Sequence, residues 1–419
     1  MDLSTRHSSC SSLELLSPAG GWEQLRYAVW YGANAVYLAT EQFGMRKRAS
    51  NFKMEELPSV VAFAHEHGVK VHLACNIVMH NSDIAQLPPY LKAADAAGVD
   101  ALIISDLGAF TLAKQYAPHA DLHVSTQASI ANSQAACAWY NLGAKRIVCA
   151  REMSVAQIAE LRANTPQDLE IEVFAHGSMC MAYAGRCLIS DYLTGRSANN
   201  GHCTQACRWA WSLHEPSRPG QDFPVEEDED ATYIFNSCDL NMLAHLDDLA
   251  QAGVMSIKLE GRGRKAYYVA AVTNAYRRVI DGEDPALVEI ELETVSHHPY
   301  STGFFYGPAH QAPYSDAASS DWLWVAAVDS CKPLANMPGY WEADVTARNR
   351  FDISTPLELL SPGKAAAKLS ISNLRLIVSS SDGNEQQLPT DTANRQMDHY
   401  RFICNQELHE HDIIRTKKE

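Results

Sequence analysis

The chain has 419 residues and a formal net charge of −16, with 46% hydrophobic and 20% charged residues. At about 150 residues per domain, this length predicts two or three domains, or one large barrel with a smaller unit. The composition excludes wholesale disorder, and the acidic charge argues against a broadly basic nucleic-acid binder while leaving room for a local basic groove.

The N-terminal stretch, residues 1–12, is polar and lacks the apolar core of a secretory signal. No run of about 18 apolar residues occurs, so we expect no membrane-spanning helix and no membrane partner. These features predict a cytoplasmic protein, whose thiols stay reduced. In that compartment a cluster of cysteines indicates a metal or redox site before it indicates disulfides.

Residues 13–310 repeat one unit, an apolar strand followed by an amphipathic helix that closes at a glycine, as in "EHGVKVHLAC" and "NLGAKRIVCA". The predicted strands are Leu13–Leu16, Ala35–Ala39, Lys70–Cys75, Ala101–Ser105, Asp121–Ser125, Arg146–Ala150, Glu170–Phe174 and Ser256–Leu259. Eight such units predict a TIM-like (β/α)8 barrel of parallel strands. The absence of G-x-G-x-x-G after the first strand weakens the open dinucleotide-binding alternative.

A long insertion, at about residues 175–255, separates the seventh and eighth predicted strands. Loops of this class usually have about 2–6 residues besides their helix, and barrel enzymes place their chemistry at the carboxyl ends of the strands. The insertion therefore lies where an active site is expected. Short alternating segments over 320–419, such as "WLWVAAVDSC", predict a small all-β, barrel-like C-terminal domain.

The insertion opens with four cysteines at C-x6-C-x15-C-x3-C spacing, namely Cys180, Cys187, Cys203 and Cys207. Four thiolates complete either a tetrahedral zinc site or an iron–sulfur cluster, and the spacing leaves both open, with unrelated buried thiols as a third reading. Arg186 and Arg208 adjoin these cysteines and would offset the charge of a bound cofactor. Cys238, in "FNSCDL", is a fifth thiol that could replace one of the four.

Polar residues at the predicted strand ends are the other candidates. His176 could donate or accept a proton near neutral pH, or could be a structural histidine. Ser125 and Gln127 could hydrogen-bond a base or an anionic cosubstrate, or merely satisfy loop backbone, and Glu260 is a further catalytic candidate. Arginines suit phosphates and dicarboxylates, so two basic runs are expected to bind substrate unless they are solvated turns; they contain Arg46 and Arg48, and Arg262 and Arg264.

The string "HGSMCMAYAGRCLISDYLTGRSANNGHCTQACRW", together with "LELLSPAGG", "VSTQAS" and "IKLEGRGRKAYYV", resembles the peptidase U32 family from about Leu13 to Gly307. Within that family the chain is most similar to the prephenate-dependent hydroxylases of tRNA uridine 34. The resemblance implies a 4Fe–4S cluster on Cys180, Cys187, Cys203 and Cys207, with prephenate as cosubstrate and hydroxyl donor. It also implies the tRNA anticodon loop as partner and 5-hydroxyuridine, the first step toward carboxymethoxy- or methoxyuridine, as product.

Several alternatives stay open at this point. Relatives with the same scaffold act on rRNA cytidine or on ubiquinone precursors, and a collagenase-like peptidase or a non-enzymatic iron–sulfur scaffold is a rival from another class. The chain has no G-x-S-x-G elbow and no H-E-x-x-H helix, which leaves a cysteine paired with His176 as the peptidase option. Cys238 stands where the resemblance leads us to expect lysine, so the ligand set also stays open, as does the oligomeric state.

Overall fold

The structure is a computed structural model of the chain. It describes residues 10–45, 51–180, 182–183, 185–209, 212–214, 222–224, 238–309, 320–379 and 385–418. Within these ranges one sheet is built around a closed parallel barrel and a second, C-terminal sheet is antiparallel. None of the described helices is both long and apolar enough to cross a membrane.

Eight parallel strands close the barrel, because β11 pairs with both β1 and β7. The strands as far as β11 are β1 (Glu14–Pro18), β2 (Ala35–Leu38), β3 (Lys70–Cys75), β4 (Ala101–Ile104), β5 (Asp121–Val124), β6 (Arg146–Val148), β7 (Glu170–Ser178), β8 (Ser212–His214), β9 (Asp222–Pro224), β10 (Asp239–Asn241) and β11 (Ser256–Leu259). The predicted (β/α)8 class is thus confirmed. Seven predicted strands end within two residues of the observed ones, whereas β7 runs four residues further.

The described part of the chain has ten α-helices, and most of them pack apolar side chains against the barrel. They are α1 (Trp22–Trp30), α2 (Leu57–Glu66), α3 (Asn81–Ala96), α4 (Leu107–Tyr116), α5 (Ser133–Asn141), α6 (Val155–Ala163), α7 (Ile189–Thr194), α8 (Leu246–Gln251), α9 (Ala266–Ile280) and α10 (Pro285–Val288). The glycines after α2 and α5, Gly68 and Gly143, have φ of +72° and +104°. These left-handed conformations end the helices as the sequence predicts, since glycine adopts them without a steric penalty.

The lower barrel interior is charged, although side chains such as Val, Ile and Leu usually fill it. Glu172 is fully buried and accepts hydrogen bonds from Lys258 Nζ at 3.1 Å and Arg146 Nη1 at 2.9 Å. Burial alone would raise the pKa of Glu172, but the charges of Lys258 and Arg146 keep it below its usual value. Arg146 also donates to Glu14 at 2.5 Å, so this network ties β1, β6, β7 and β11 together.

The cysteine-bearing segment lies over the carboxyl end of β7. The extra residues of β7 pair antiparallel with β10, placing His176 opposite Asn241, and β10 in turn pairs with β12 (Tyr300–Ser301). Further along the insertion, β8 and β9 form a short antiparallel hairpin. This extension of β7 keeps the insertion on the barrel mouth.

The C-terminal sheet spans Trp322 to Lys417 and packs on the outside of the barrel. The strands of this region are β13 (Trp322–Pro333), β14 (Trp341–Ala347), β15 (Phe351–Asp352), β16 (Leu357–Leu360), β17 (Ala367–Leu369), β18 (Ile371–Ser379), β19 (Glu385–Pro389), β20 (Thr392–Ala393), β21 (His399–Cys404) and β22 (Ile413–Lys417). Of these, β15 and β20 pair only with each other as a separate two-stranded sheet, and the other eight form the main sheet. Tyr31 donates to the carbonyl of Leu360 at 2.9 Å, and Arg415 pairs with Glu291 at 2.8 Å. These contacts fix the sheet against α1 and the segment after α10.

Candidate functional site

A cavity of about 140 Å³ occupies the barrel mouth beneath the cysteine-bearing segment. Residues at the strand ends form its floor, and the insertion forms its roof. The predicted site residues that line it are Ser125, Gln127, Cys180, Cys187, Cys203, Cys207, Glu260 and Arg262. The fold therefore brings together eight side chains that lie up to 137 residues apart in the sequence.

All four predicted metal ligands face this cavity, and none of them forms a disulfide. Asn199 holds Cys187 in place, because its side chain accepts from the Cys187 amide at 3.2 Å and donates to the Cys187 carbonyl at 3.0 Å. The carbonyl of Asn199 also accepts from the Val78 amide at 3.0 Å, which fastens the segment to the loop after β3. Ser190 bonds Thr204, the residue after Cys203, at 2.9 Å.

Four free thiols on one cavity form a complete donor set for a thiolate-bound metal centre. Cys238 is buried and is not among the described residues that line the cavity, so the geometry favours the four cysteines as the ligand set. The same lining contains no histidine among its described residues. The cavity therefore presents no cysteine–histidine pair of the kind that a cysteine peptidase needs.

Ser125 and Gln127 form the polar edge of the floor, in the turn that follows β5. The Ser125 hydroxyl oxygen accepts from the Asn76 side chain at 3.2 Å and from the Gln127 amide at 3.3 Å. Gln127 Oε1 is buried and finds no hydrogen-bond partner within the described ranges. A buried acceptor of this kind is costly unless a ligand or water satisfies it. Gln127 Oε1 is thus a candidate acceptor for a hydrogen-bond donor of a ligand.

Positive and negative side chains meet on the opposite side of the floor. Arg151 lies 4.0 Å from Glu260, stacks over the ring of Phe174 at 3.7 Å and donates to the Ser178 carbonyl at 2.8 Å. Arg262 is buried and also lines the cavity. Arg151 and Arg262 thus place two guanidinium groups on this side of the cavity, and guanidinium groups suit an anionic ligand.

Two further ionisable groups line the cavity, Glu152 and Lys258. Burial raises the pKa of Glu152, whose Oε2 has no hydrogen-bond partner in the described part of the chain. Burial lowers the pKa of Lys258, which sits 4.4 Å from the ring centre of Tyr37. Sequence reasoning did not select Lys258, although a lysine at an inward position of the strand "SIKL" was a usable signal.

The other predicted residues that the structure describes do not line the cavity. His176 is buried beside Tyr276, and burial lowers its pKa to about 3, so its imidazole is neutral at physiological pH. Arg264 contacts Ser178 at 3.3 Å and Asp239 at 3.5 Å rather than the cavity. Arg186 is exposed. Arg46, Arg48 and the side chain of Arg208 lie outside the described residues, so their roles stay predictions.

Comparison with known proteins places the chain in a family. Residues 20–313 match the model of peptidase family U32. A tRNA hydroxylation protein P of Escherichia coli (strain K12) is 34% identical over 397 residues, covering 83% of this chain and 86% of that protein. A tRNA hydroxylation protein P1 of Bacillus subtilis (strain 168) is 37% identical, covering 70% and 71%. A 23S rRNA 5-hydroxycytidine synthase of Escherichia coli (strain K12) is 35% identical, covering 73% and 44%. The chain therefore belongs to peptidase family U32.

Proposed function

We propose that this chain hydroxylates a pyrimidine base of RNA at C5, with wobble uridine 34 of tRNA as substrate, a 4Fe–4S cluster on four cysteines and prephenate as cosubstrate. The observation that carries the proposal is that Cys180, Cys187, Cys203 and Cys207 share one cavity with hydrogen-bonding and cationic side chains. The names of the related tRNA and rRNA hydroxylation proteins support an RNA base as the acceptor. An unpaired anticodon base can enter a cavity without the cost of opening a duplex.

The donor set supports a cluster over a single zinc ion. Zinc would hold four thiolate sulfurs about 3.8 Å apart in a tetrahedron. Among the described residues, one group offers three ligand atoms within 4.8 Å of one another. It consists of His72, His123 and Glu172, so no three cysteine sulfurs of the described residues lie that close together. A wider arrangement of sulfurs suits a multi-iron group, which would supply electron transfer or Lewis acidity when bound.

The other residues of the cavity would bind and orient the two organic reactants. Gln127 Oε1, a buried acceptor, matches the N3–H donor of uracil. Arg262 and Arg151 match the two carboxylates of prephenate. Replacing C5–H by C5–OH oxidises the base by two electrons, so the oxygen and the electron acceptor must come from a cosubstrate rather than from these side chains. Burial raises the pKa of the Glu152 carboxyl group, so this group would hold or release a proton next to the bound reactants.

Mass spectrometry of tRNA nucleosides from cells with and without the gene tests the substrate. We expect 5-hydroxyuridine derivatives to disappear in the deletion strain and to return with the wild-type gene. The Cys180→Ser variant should not restore them, whereas Cys137→Ser, a half-buried cysteine on α5, should. An unchanged tRNA profile with loss of 5-hydroxycytidine from rRNA would assign the activity to rRNA instead.

Iron, sulfide and zinc analysis of anaerobically purified protein tests the cluster. Four iron and four sulfide per chain, with visible absorption that Cys180→Ser removes and Cys137→Ser keeps, are the expected results. One zinc ion per chain without sulfide would overturn the cluster. Strains unable to make prephenate should lose the modified nucleoside and regain it when prephenate is supplied; retention of the modification would remove prephenate from the reaction.

A further inference from the structure

The roof of the cavity exposes an unusual amount of apolar and aromatic surface. Of the 18 exposed large hydrophobic residues in the described ranges, five lie between Tyr183 and Trp209. They are Tyr183, Leu188, Tyr192, Leu193 and Trp209, and we call them the roof patch. Tyr192 on α7 is 92% exposed. Single exposed apolar residues are ordinary, but several within one short segment mark an interaction surface.

The roof patch is continuous with the cavity. Tyr183 lines the cavity, as do Cys187 and Ile189, which flank Leu188 on either side. The patch reaches the rim of the barrel through Asn199, whose carbonyl accepts from the amide of Val78, another exposed apolar residue. A molecule bound on the roof patch at Tyr183 would therefore lie at the edge of the cavity.

The local charge of this segment is opposite to that of the whole chain. From Cys180 to Trp209 the sequence has three arginines, Arg186, Arg196 and Arg208, against one acidic residue, Asp191, whereas the whole chain carries −16. Arg186 and Arg196 are exposed, and neither forms an ion pair with another described residue. A phosphate backbone would be repelled by most of the protein surface and attracted here.

We propose that the roof patch is a stacking platform for the unpaired nucleotides that flank the reacting base, with Tyr192 as its central stacking side chain. This inference rests on the proposed function, because it takes an RNA loop as the substrate. Exposed aromatic rings interleaved with arginines are the chemistry that binds single-stranded nucleic acid, since every base offers a ring face and every linkage a phosphate. Two copies of this acidic chain would repel each other, which disfavours self-association as the role of the patch.

The platform is tested by measuring how tightly the cluster-loaded protein binds a synthetic anticodon stem–loop that contains uridine 34. Fluorescence anisotropy of the labelled RNA reports the binding. We expect Tyr192→Ala to weaken binding about tenfold and Tyr192→Phe to retain it, because stacking needs the ring and not the hydroxyl. Tyr340→Ala, which removes an exposed tyrosine of the C-terminal sheet, is the matched control and should bind as the wild type does. Arg196→Ala should reduce the slope of log affinity against log salt by about one.

The outcomes separate this inference from the proposed function. If the wild type does not bind the stem–loop, both the proposed RNA substrate and the proposed stacking platform are wrong. If the wild type binds it and Tyr192→Ala binds equally well, the platform is wrong while the proposed function stands. If Tyr192→Ala leaves RNA binding intact but abolishes a dimer of the wild type in sedimentation, the roof patch is a protein interface. Thermal melting should show all variants folded, since Tyr192 is on the surface.

Discussion

Single side chains of this site combine burial with unused hydrogen-bonding capacity. Gln127 is the clearest case, because its Oε1 is buried without a described partner, yet the residue occupies a well-ordered turn after β5. A native protein keeps such an atom when a ligand uses it, since the fold gains nothing from the unmet acceptor. This unmet acceptor makes Gln127 a candidate for substrate binding.

Replacing Gln127 with alanine tests this view. We expect the melting temperature to stay the same or rise slightly, because no described hydrogen bond of Oε1 is lost. Formation of the modified nucleoside should fall roughly tenfold or more, the effect of losing about one hydrogen bond to the reacting base. Gln86→Ala, on the exposed face of α3, is the control and should change neither quantity. Equal activity of Gln127→Ala and the wild type would show that the amide does not contact substrate.

From the sequence we could predict the site residues that lie at the ends of strands. We could not predict those that reach the site only because the barrel closes. Ser125, Gln127, Glu260 and Arg262 follow predicted strands, so their meeting at the mouth could be inferred. Lys258 lies within a strand, and only the closed barrel shows that it pairs with Glu172 and also lines the cavity. His176 resembled a catalytic histidine in sequence, but the unpredicted extension of β7 buries it behind the floor.

At the scale of elements, close backbone contacts hold the insertion against the barrel. Gly185, in the roof, has a φ of +76°, and a Cβ placed there would lie 2.7 Å from the carbonyl oxygen of Gln127. Gly177 is similar, since its Cβ would lie 2.6 Å from the carbonyl of Glu260. The roof therefore approaches the floor at distances that only glycine allows.

Gly185→Ala should separate the roof from the floor without unfolding the barrel. The added methyl group meets backbone rather than a flexible side chain, so the segment carrying Cys180 and Cys187 must move. We expect substoichiometric iron and loss of modified nucleoside, with a melting temperature within a few degrees of the wild type. Gly195→Ala is the control for backbone strain alone. Gly195 also has a positive φ, but a Cβ added there would have no atom within 4 Å. Full iron content in Gly185→Ala would contradict the proposed contact.

The strands of the lower barrel are joined by the buried charges around Glu172. Glu172→Gln removes the carboxylate that faces Lys258 and Arg146. Breaking a buried ion pair from one side costs about 3–5 kcal/mol, because it leaves an uncompensated charge. We expect a loss of that size in urea unfolding. The double variant Glu172→Gln with Lys258→Met should recover part of it, and a double variant as unstable as the single one would show that Lys258 is not the charge left uncompensated.

At the scale of the whole molecule, the fold class was readable from the sequence because it follows from a repeated local pattern. Strand–helix units of similar length specify a parallel barrel, and the closing glycines mark each repeat. The docking of the C-terminal sheet could not be read in the same way. It depends on non-local pairs such as Arg415 with Glu291, which are 124 residues apart, and on Tyr31 with Leu360. Neither residue of such a pair stands in a sequence pattern that would predict its partner.

Acid stability is a property of the whole barrel, because three buried histidines lie along it. Burial lowers the pKa of His72 to about 4 and that of His176 to about 3, and it lowers the pKa of His123 well below 6.5. In the unfolded chain each would titrate near 6.5. Between these values the unfolded state binds protons that the folded state does not, so stability falls as the pH falls.

We expect the free energy of unfolding to decrease between pH 7 and pH 5.5 by about 1 kcal/mol per buried histidine. Urea titrations at these two pH values measure the decrease, and unfolding at pH 5.5 should take up close to one proton for each of the three. A stability independent of pH over this range would mean that these imidazoles bind protons equally well in the folded and unfolded states.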